Sequence, residues 1–589
     1  MIFIQDTDKY LDTIFCELRK SYSAEIISTT KLTSQGLQGF YQVWKVLREI
    51  LVTTLNGENT TIQCEFYIAF YKDFPFSFPK IYIAKASLEE ISPGNPLPHI
   101  DSNYCICTID KERFSINPDY YKETLFKLFD DAIDIIEHGL RHDNTVEFDK
   151  EFNAYWKLQY GQSLVLSGLS LITKNVNHCQ EVPIIVFKKL FHGYSYIIHE
   201  NSEEYIKMIE YLKLTGIRYT ESQAIYMDIG NSIKGPFNYS VGRTLKIVKT
   251  LPTSDQKIFK QFINKKGNLI LFRKAWGSTS NYYGWLYQPK VNLKGFRSGL
   301  EPFTYINTPL GSSEKLVRVL FEDFTPQRLM LRTAGFIENG RKFIVSGLGS
   351  IGSNLIYFLN TYEVDTFILN DVPDEGIELV NIKRHFIGFN RVNYKKTDAL
   401  YSYLISKNPL QRIILKESSI THLISEEPAI INGADYLFVC IGQQSVEQFV
   451  CKSLIKKLIE VPTFIIWVEP YIASGQLLFI SPKDAQKAYE ILKLPFFLYN
   501  VIHSDEYKNE NSPVYLKESG CQSGYFPFSA NLITLFLSSI FSVIDKIIKK
   551  KDIESQIVTW IGDIDNLRSL DIKLSDFGEQ HRGKTLITN

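Results

Sequence analysis

The chain has 589 residues, 44% of them hydrophobic, and its 65 Lys+Arg balance 65 Asp+Glu for a formal net charge of zero. That balance argues against a nucleic acid or an anionic membrane as the main partner, and the length suits about three or four domains at roughly 150 residues each. Eight cysteines with no C-x-x-C pair exclude a zinc ribbon and a disulfide framework and point to a cytosolic protein with reduced thiols. Residues 1–6 hold no basic n-region or cleavage site, so no signal peptide is expected.

In chain order, residues 1–158 open with a helical pattern over 8–19. Strand-like runs follow at 39–47 and 61–71, then a proline-rich loop over 74–99 and a short segment at 104–110. A helix is predicted over 120–140, where Leu125, Leu128, Ala132, Ile135 and Ile136 recur at helical spacing. The polar run 141–149 approaches a linker. Residues 159–325 mix strands at 183–187 and 268–273 with a helix at 203–214, and 277–299 reads as hairpins and loops; no catalytic constellation stands out there.

Residues 326–589 alternate strand and helix. Strands are predicted at 342–346, 366–370, 412–417, 435–441 and 464–468, with helices at 354–360, 397–406 and 446–458. This rhythm implies a mostly parallel sheet with a ligand at the carboxyl ends of its strands. Residues 521–544 carry no charge, but Pro527, Asn531 and several Ser and Thr make them a loop leading into a buried helix rather than a membrane span.

The chemistry starts at Phe343-Ile344-Val345-Ser346-Gly347-Leu348-Gly349-Ser350-Ile351-Gly352. A strand entering G-x-G-x-x-G and then a helix brings backbone N–H groups close to a phosphate. Asp371, about 20 residues on, suits a ribose hydroxyl. Both NAD and ATP fit to this point. Asn381, Arg384 and Lys396 then gather hydrogen-bonding and cationic groups that a triphosphate needs and a dinucleotide does not.

This ordered set resembles the ThiF and ubiquitin-activating adenylation domain. The resemblance covers 326–589 and implies a Rossmann-like α/β fold. In it ATP is held by Gly347, Gly349, Gly352, Asp371, Asn381, Arg384 and Lys396. The family carries a magnesium-holding Asp on a later strand, where this chain has Gly442, so Mg2+ is assigned to Asp371. Such a site adenylates a carboxylate and passes the acyl group to a cysteine. Cys521, between Gly520 and Gly524 near the end of the domain, resembles the catalytic cysteine of the bacterial members; Cys440 and Cys451 read as packing residues.

Upstream, Phe74-Pro75-Phe76-Ser77-Phe78-Pro79 resembles the proline loop of ubiquitin-conjugating enzymes, and His99-Ile100-Asp101 through Ile106-Cys107 resembles their histidine motif and catalytic cysteine. This implies an α+β conjugating-like domain over 1–158 with Cys107 and His99 as catalytic residues. Strand alternation puts Cys105 and Cys107 on one face and does not choose between them; the family pattern selects Cys107. By position, 159–325 corresponds to the inactive adenylation-like α/β segment of the activating family.

The fusion resembles proteins of bacterial CBASS anti-phage operons. It implies that the C-terminus of a cGAS-like nucleotidyltransferase is adenylated, carried as a thioester on Cys521 and then Cys107, and joined to an acceptor lysine, in a cytoplasmic homodimer. Two other readings are a ThiF-type enzyme that activates a sulfur carrier and a non-catalytic scaffold that binds a ubiquitin-like tail.

Overall fold

The computed structural model describes residues 7–27, 37, 39–53, 59–93, 97–110, 113–141, 145–157, 164–233, 239–276, 279–288, 301–518, 524–550, 554–581 and 586–588. It is a multidomain α/β protein whose chain divides into two compact units. One holds residues 1–201 and 218–325; the other holds 202–217 and 326–589.

The first unit begins with a five-stranded antiparallel meander of Ser23–Ile27, Gln42–Thr53, Asn59–Phe70, Lys80–Ile83 and Cys105–Ile106. Side chains alternate across it as the two-residue strand period requires: Trp44, Val46 and Ile50 turn to one face and Val43 to the other. Helices Thr7–Ser21 and Tyr121–Leu140 cover the first face with Leu11, Ile14, Leu18, Leu125, Leu128 and Phe129. The proline-rich stretch read as loop contains the strand Lys80–Ile83 and a short helix, Lys85–Ile91. Prolines 75 and 79 precede that strand and leave its ladder N–H groups intact.

The middle region corrects the expectation of an inactive adenylation-like α/β domain. It is a closed seven-stranded barrel in the order Leu269–Trp276, Thr279–Leu286, Val317–Asp323, Val165–Leu171, Tyr194–His199, Gln180–Phe191, Tyr219–Tyr226. A doubly wound sheet needs a crossover helix between successive strands. Here Gln180–Phe191 turns directly back into Tyr194–His199, and Leu269–Trp276 into Thr279–Leu286. The predicted helix over 203–214 is present as Glu203–Leu214, but it groups with the second unit.

The second unit is built on an eight-stranded sheet. Its order is Arg412–Glu417, Val364–Asp371, Arg341–Ser346, Tyr436–Val439, Thr463–Val468, Ser474–Ile480, Gln556–Ile561, Leu586–Thr588. The first five strands are parallel and the last three pair antiparallel. Helices Ser350–Leu359, Lys396–Lys407 and Ala530–Lys549 pack on one face, and Gln444–Ile455 and Ala485–Leu492 on the other. Ala530–Lys549 is long and apolar enough by composition to cross a membrane. Its stripe of Ile533, Phe536, Leu537, Ile540 and Ile544 is buried in the sheet's core, and Asp545 accepts a 2.7 Å hydrogen bond from Tyr362.

Candidate functional site

From Arg341–Ser346 the chain steps to Val364–Asp371 and Arg412–Glu417 on one side, then crosses to Tyr436–Val439 on the other. The reversal leaves a crevice at the carboxyl ends of Arg341–Ser346 and Tyr436–Val439, where ligands of open α/β sheets bind. A cleft of about 230 Å³ lies there, lined by Gly347, Gly349, Asp371, Glu375, Lys396 and the loop after Tyr436–Val439.

The glycines have separate reasons. Gly347 has φ +85°, and a Cβ on it would lie 2.8 Å from the Cys440 carbonyl carbon. A Cβ on Gly352 would lie 1.9 Å from the Gly347 oxygen, so Gly352 sits beneath the turn rather than in the cleft. Gly349 caps helix Ser350–Leu359, and a Cβ there would meet nothing within 4 Å. Open space above a helix N-terminus with unsatisfied N–H groups is what a phosphate requires. Gly349→Ala should therefore leave folding stability within about 0.5 kcal/mol. It should weaken ATP binding at least ten-fold, as read by equilibrium dialysis beside a thermal melt; unchanged binding would remove the phosphate from this turn.

Hydrogen bonds hold the turn still. Asp371 accepts from the Leu348 and Val372 N–H groups at 2.8 Å each. The Asn370 amide takes a 2.7 Å bond from Ser346 Oγ and donates to the Lys416 and Ser418 carbonyls. Lys396 Nζ pairs with Glu375 and stands 3.8 Å from Asp371 Oδ2, placing a cation at the rim.

Asn381 and Arg384 are not among the residues lining the cleft. Arg384 donates to the Asn381 side chain and lies 4.2 Å over the Phe528 ring; burial lowers its pKa. Their segment is tied to the glycine helix by Asn354, which donates to the Arg384 carbonyl at 2.8 Å, and by Ser353, which accepts from Phe386 N–H.

His385 was not singled out from the sequence. It is buried, with Nε2 2.9 Å from the Leu348 carbonyl and Nδ1 accepting the Ile387 N–H. Burial lowers its pKa, so the neutral ring braces the glycine turn with Nε2–H as donor. The signal was its place next to Arg384 in the polar string.

A larger chamber of about 570 Å³ adjoins the cleft. Ile441 lines both; Trp467, Phe496, Phe497 and Phe528 form chamber walls, with Gly442 at its edge. Glu469 is fully buried at its side and accepts from Ser474 Oγ, Tyr507 Oη and the Val501 and Ile502 N–H groups. Glu447 is 4% exposed, and burial alone pushes its carboxyl up to about 7 from 4.5.

Between those values the folded chain keeps a proton that the unfolded chain releases. Stability should therefore fall as pH rises through that window, by up to about 3 kcal/mol. Glu447→Gln should melt higher than the parent at pH 8 and nearly with it at pH 5. A gain equal at both values would discard the carboxylate as its source.

Cys105 lies in a cross-strand row with Tyr82 and Tyr67 and packs beside the second face of the meander. Cys107 follows the end of that strand and is exposed, its N–H donating to the His99 carbonyl at 2.8 Å. The His99 ring faces Glu151 at 3.4 Å and Glu147 at 4.0 Å, and His99 has φ +61°. Cys521 lies outside the described residues; the flanking strands Leu516–Lys517 and Gly524–Tyr525 pair with each other. Burial raises the Cys440 thiol and pushes Cys451 up to about 12, consistent with packing roles. Among the described residues no group of three or more His, Cys, Asp or Glu could hold a metal ion.

Residues 24–165 match the family model of prokaryotic E2 family B. The matched residues contain the meander from Ala24 onward, its second covering helix and both Cys105 and Cys107. No curated protein matches the chain in sequence.

Among solved structures the chain is similar to PaaA, with 14% identity over 40% of this chain and 71% of that one at a TM-score of 0.27. It is similar to Escherichia coli MccB solved with ATP, with 14% identity, 40% and 62% coverage and a TM-score of 0.26. It is also similar to E. coli tRNA N6-threonylcarbamoyladenosine dehydratase, TcdA, solved with AMP; there the identity is 11%, the coverage 35% and 86%, and the TM-score 0.25.

Proposed function

We propose that this protein uses ATP to activate the C-terminal carboxylate of another protein and conjugates it to a lysine. The reading rests on one combination: a crevice at the sheet's switch point where Gly347, Gly349, Asp371 and Lys396 meet, in a chain that also carries an E2-family region. The substrate carboxylate oxygen attacks the α-phosphorus of ATP and pyrophosphate leaves. The Cys521 thiolate attacks the acyl carbon and expels AMP. The Cys107 thiolate then displaces Cys521, and a lysine amine displaces Cys107, forming an amide and returning a thiol.

Asp371 and Glu375, both at the cleft, suit Mg2+, which is held by one or two carboxylates together with substrate phosphates rather than by a protein cage. When bound, it would neutralise phosphate charge. Asn381 and Arg384 contribute by bracing the wall beside Phe528. The fusion favours a cGAS-like nucleotidyltransferase as the activated protein, in cytoplasmic anti-phage defence, with the enzyme as a homodimer. A sulfur-carrier enzyme would have no use for an E2-family region. A non-catalytic scaffold would bind the tail without turnover.

The test is ATP–pyrophosphate exchange with a cGAS-like nucleotidyltransferase, intact or lacking its last residues. Exchange is expected with the intact protein alone, together with a thiol-labile adduct on Cys521. Tail binding without exchange would establish the scaffold instead.

A further inference from the structure

In the chamber next to the nucleotide cleft one buried carboxyl is left to hold a proton, with no charge partner among the described residues. Glu447 is 96% buried by its 4% exposure, it lines the chamber, and no donor or cation among the described residues reaches its carboxylate. A carboxylate taken out of water without a partner is costly and is ordinarily matched by a cation or a donor. The neighbouring Glu469 differs: its carboxylate is fully used by four donors. Among the described residues no Lys, Arg or His lines the chamber; Arg384 lies behind its Phe528 wall, 4.2 Å over that ring. Its walls are aromatic, and Trp and Phe faces attract cations.

The chamber and the cleft share a wall. Gln443 lines the cleft, Gly442 and Gln444 line the chamber, and Ile441 lines both. A chain whose terminal carboxylate lies in the cleft would place the residues before it in the chamber. Gly442 has φ +70° and no side chain to obstruct that passage.

We infer that Glu447 is a specificity-determining residue that selects a protein substrate with a lysine or arginine side chain shortly before its C-terminus. The inference rests on the carboxylate-activation reading. The cation would pair with Glu447 while its aliphatic stem lies against Trp467, Phe496 and Phe497. An acidic or aliphatic residue at the same place would leave the carboxylate unmatched, which is how a buried polar group rejects the wrong ligand.

The test uses the full-length protein and synthetic octapeptides ending in glycine with a free carboxylate, randomised at the five preceding positions. With ATP and magnesium present, Lys and Arg should be enriched at least ten-fold at one position among retained peptides. Replacing that Lys by norleucine, which keeps the stem and drops the charge, should weaken binding at least ten-fold. Glu447→Gln should bind both peptides equally, and Glu447→Asp should keep part of the preference. A melt of each variant confirms folding. Failure to retain any peptide, retention without cation preference, or the same preference in Glu447→Gln would overturn the assignment. Cation selection with no pyrophosphate exchange leaves the chamber's role intact and overturns carboxylate activation. Exchange supported equally by Lys and norleucine peptides does the reverse.

Discussion

Replacing Lys396 by Ala is expected to lower ATP–pyrophosphate exchange by about 10²–10³-fold, the scale seen when one preorganised group facing developing charge is removed. Lys396 is held at the cleft by Glu375 and by Asp371 at 3.8 Å, with its side chain only 12% exposed. Without it, the Asp371 and Glu375 carboxylates lose the lysine that offsets their charge at the rim, and the triphosphate loses a fixed counter-charge. Lys396→Arg should recover little, because the broader guanidinium does not reproduce a compact ammonium between two carboxylates. Circular dichroism and melting should change little, since Lys396 opens its helix and lies outside the core. Exchange within three-fold of the parent would take Lys396 out of the nucleotide site.

Cys107→Ala is expected to leave ATP–pyrophosphate exchange within two-fold of the parent and to reduce protein conjugates to background. The thiol-labile adduct on Cys521 should persist and accumulate. The expectation follows from accessibility: thiol exchange needs a thiolate that a second thioester can reach, and Cys107 is exposed past the strand end. Cys105→Ala should conjugate normally, because Cys105 is committed to the row with Tyr82 and Tyr67. Gel electrophoresis with and without reductant separates the outcomes. Normal conjugation by Cys107→Ala, with loss in Cys105→Ala, would transfer the role to Cys105.

Much of the second unit was legible because its signals are local. The strand over 412–417 is present as Arg412–Glu417, and the predicted strand at 366–370 lies within Val364–Asp371. Continuous apolar strands bounded by polar helix starts are typical of a parallel sheet buried on both faces. The helix 203–214 was legible for a similar reason: acidic residues begin it and apolar ones recur along it.

The barrel was not legible. Closure depends on which strand meets which, and the parallel pairing of Val317–Asp323 with Val165–Leu171 joins segments about 150 residues apart in the chain. The chamber was hidden for the same reason. Glu447 occurs in a helix of ordinary amphipathic composition, and its burial in a chamber shared with Trp467 and Phe497 depends on segments distant in the chain.

By itself, the sequence carried the glycine turn, the acidic residue that ends the second strand, the cationic string and the histidine and cysteine pattern at 99–107, because each is a matter of residue type at short spacing. Tertiary structure alone decided three things. It brought Lys396 and Asp371 to one rim and left Asn381 and Arg384 off it. It separated Cys107 from Cys105 by ending a strand at Ile106, where alternation had kept them equivalent. It also buried Glu447 with no partner among the described residues, because burial and pairing depend on what distant segments place around a side chain, which no local pattern records.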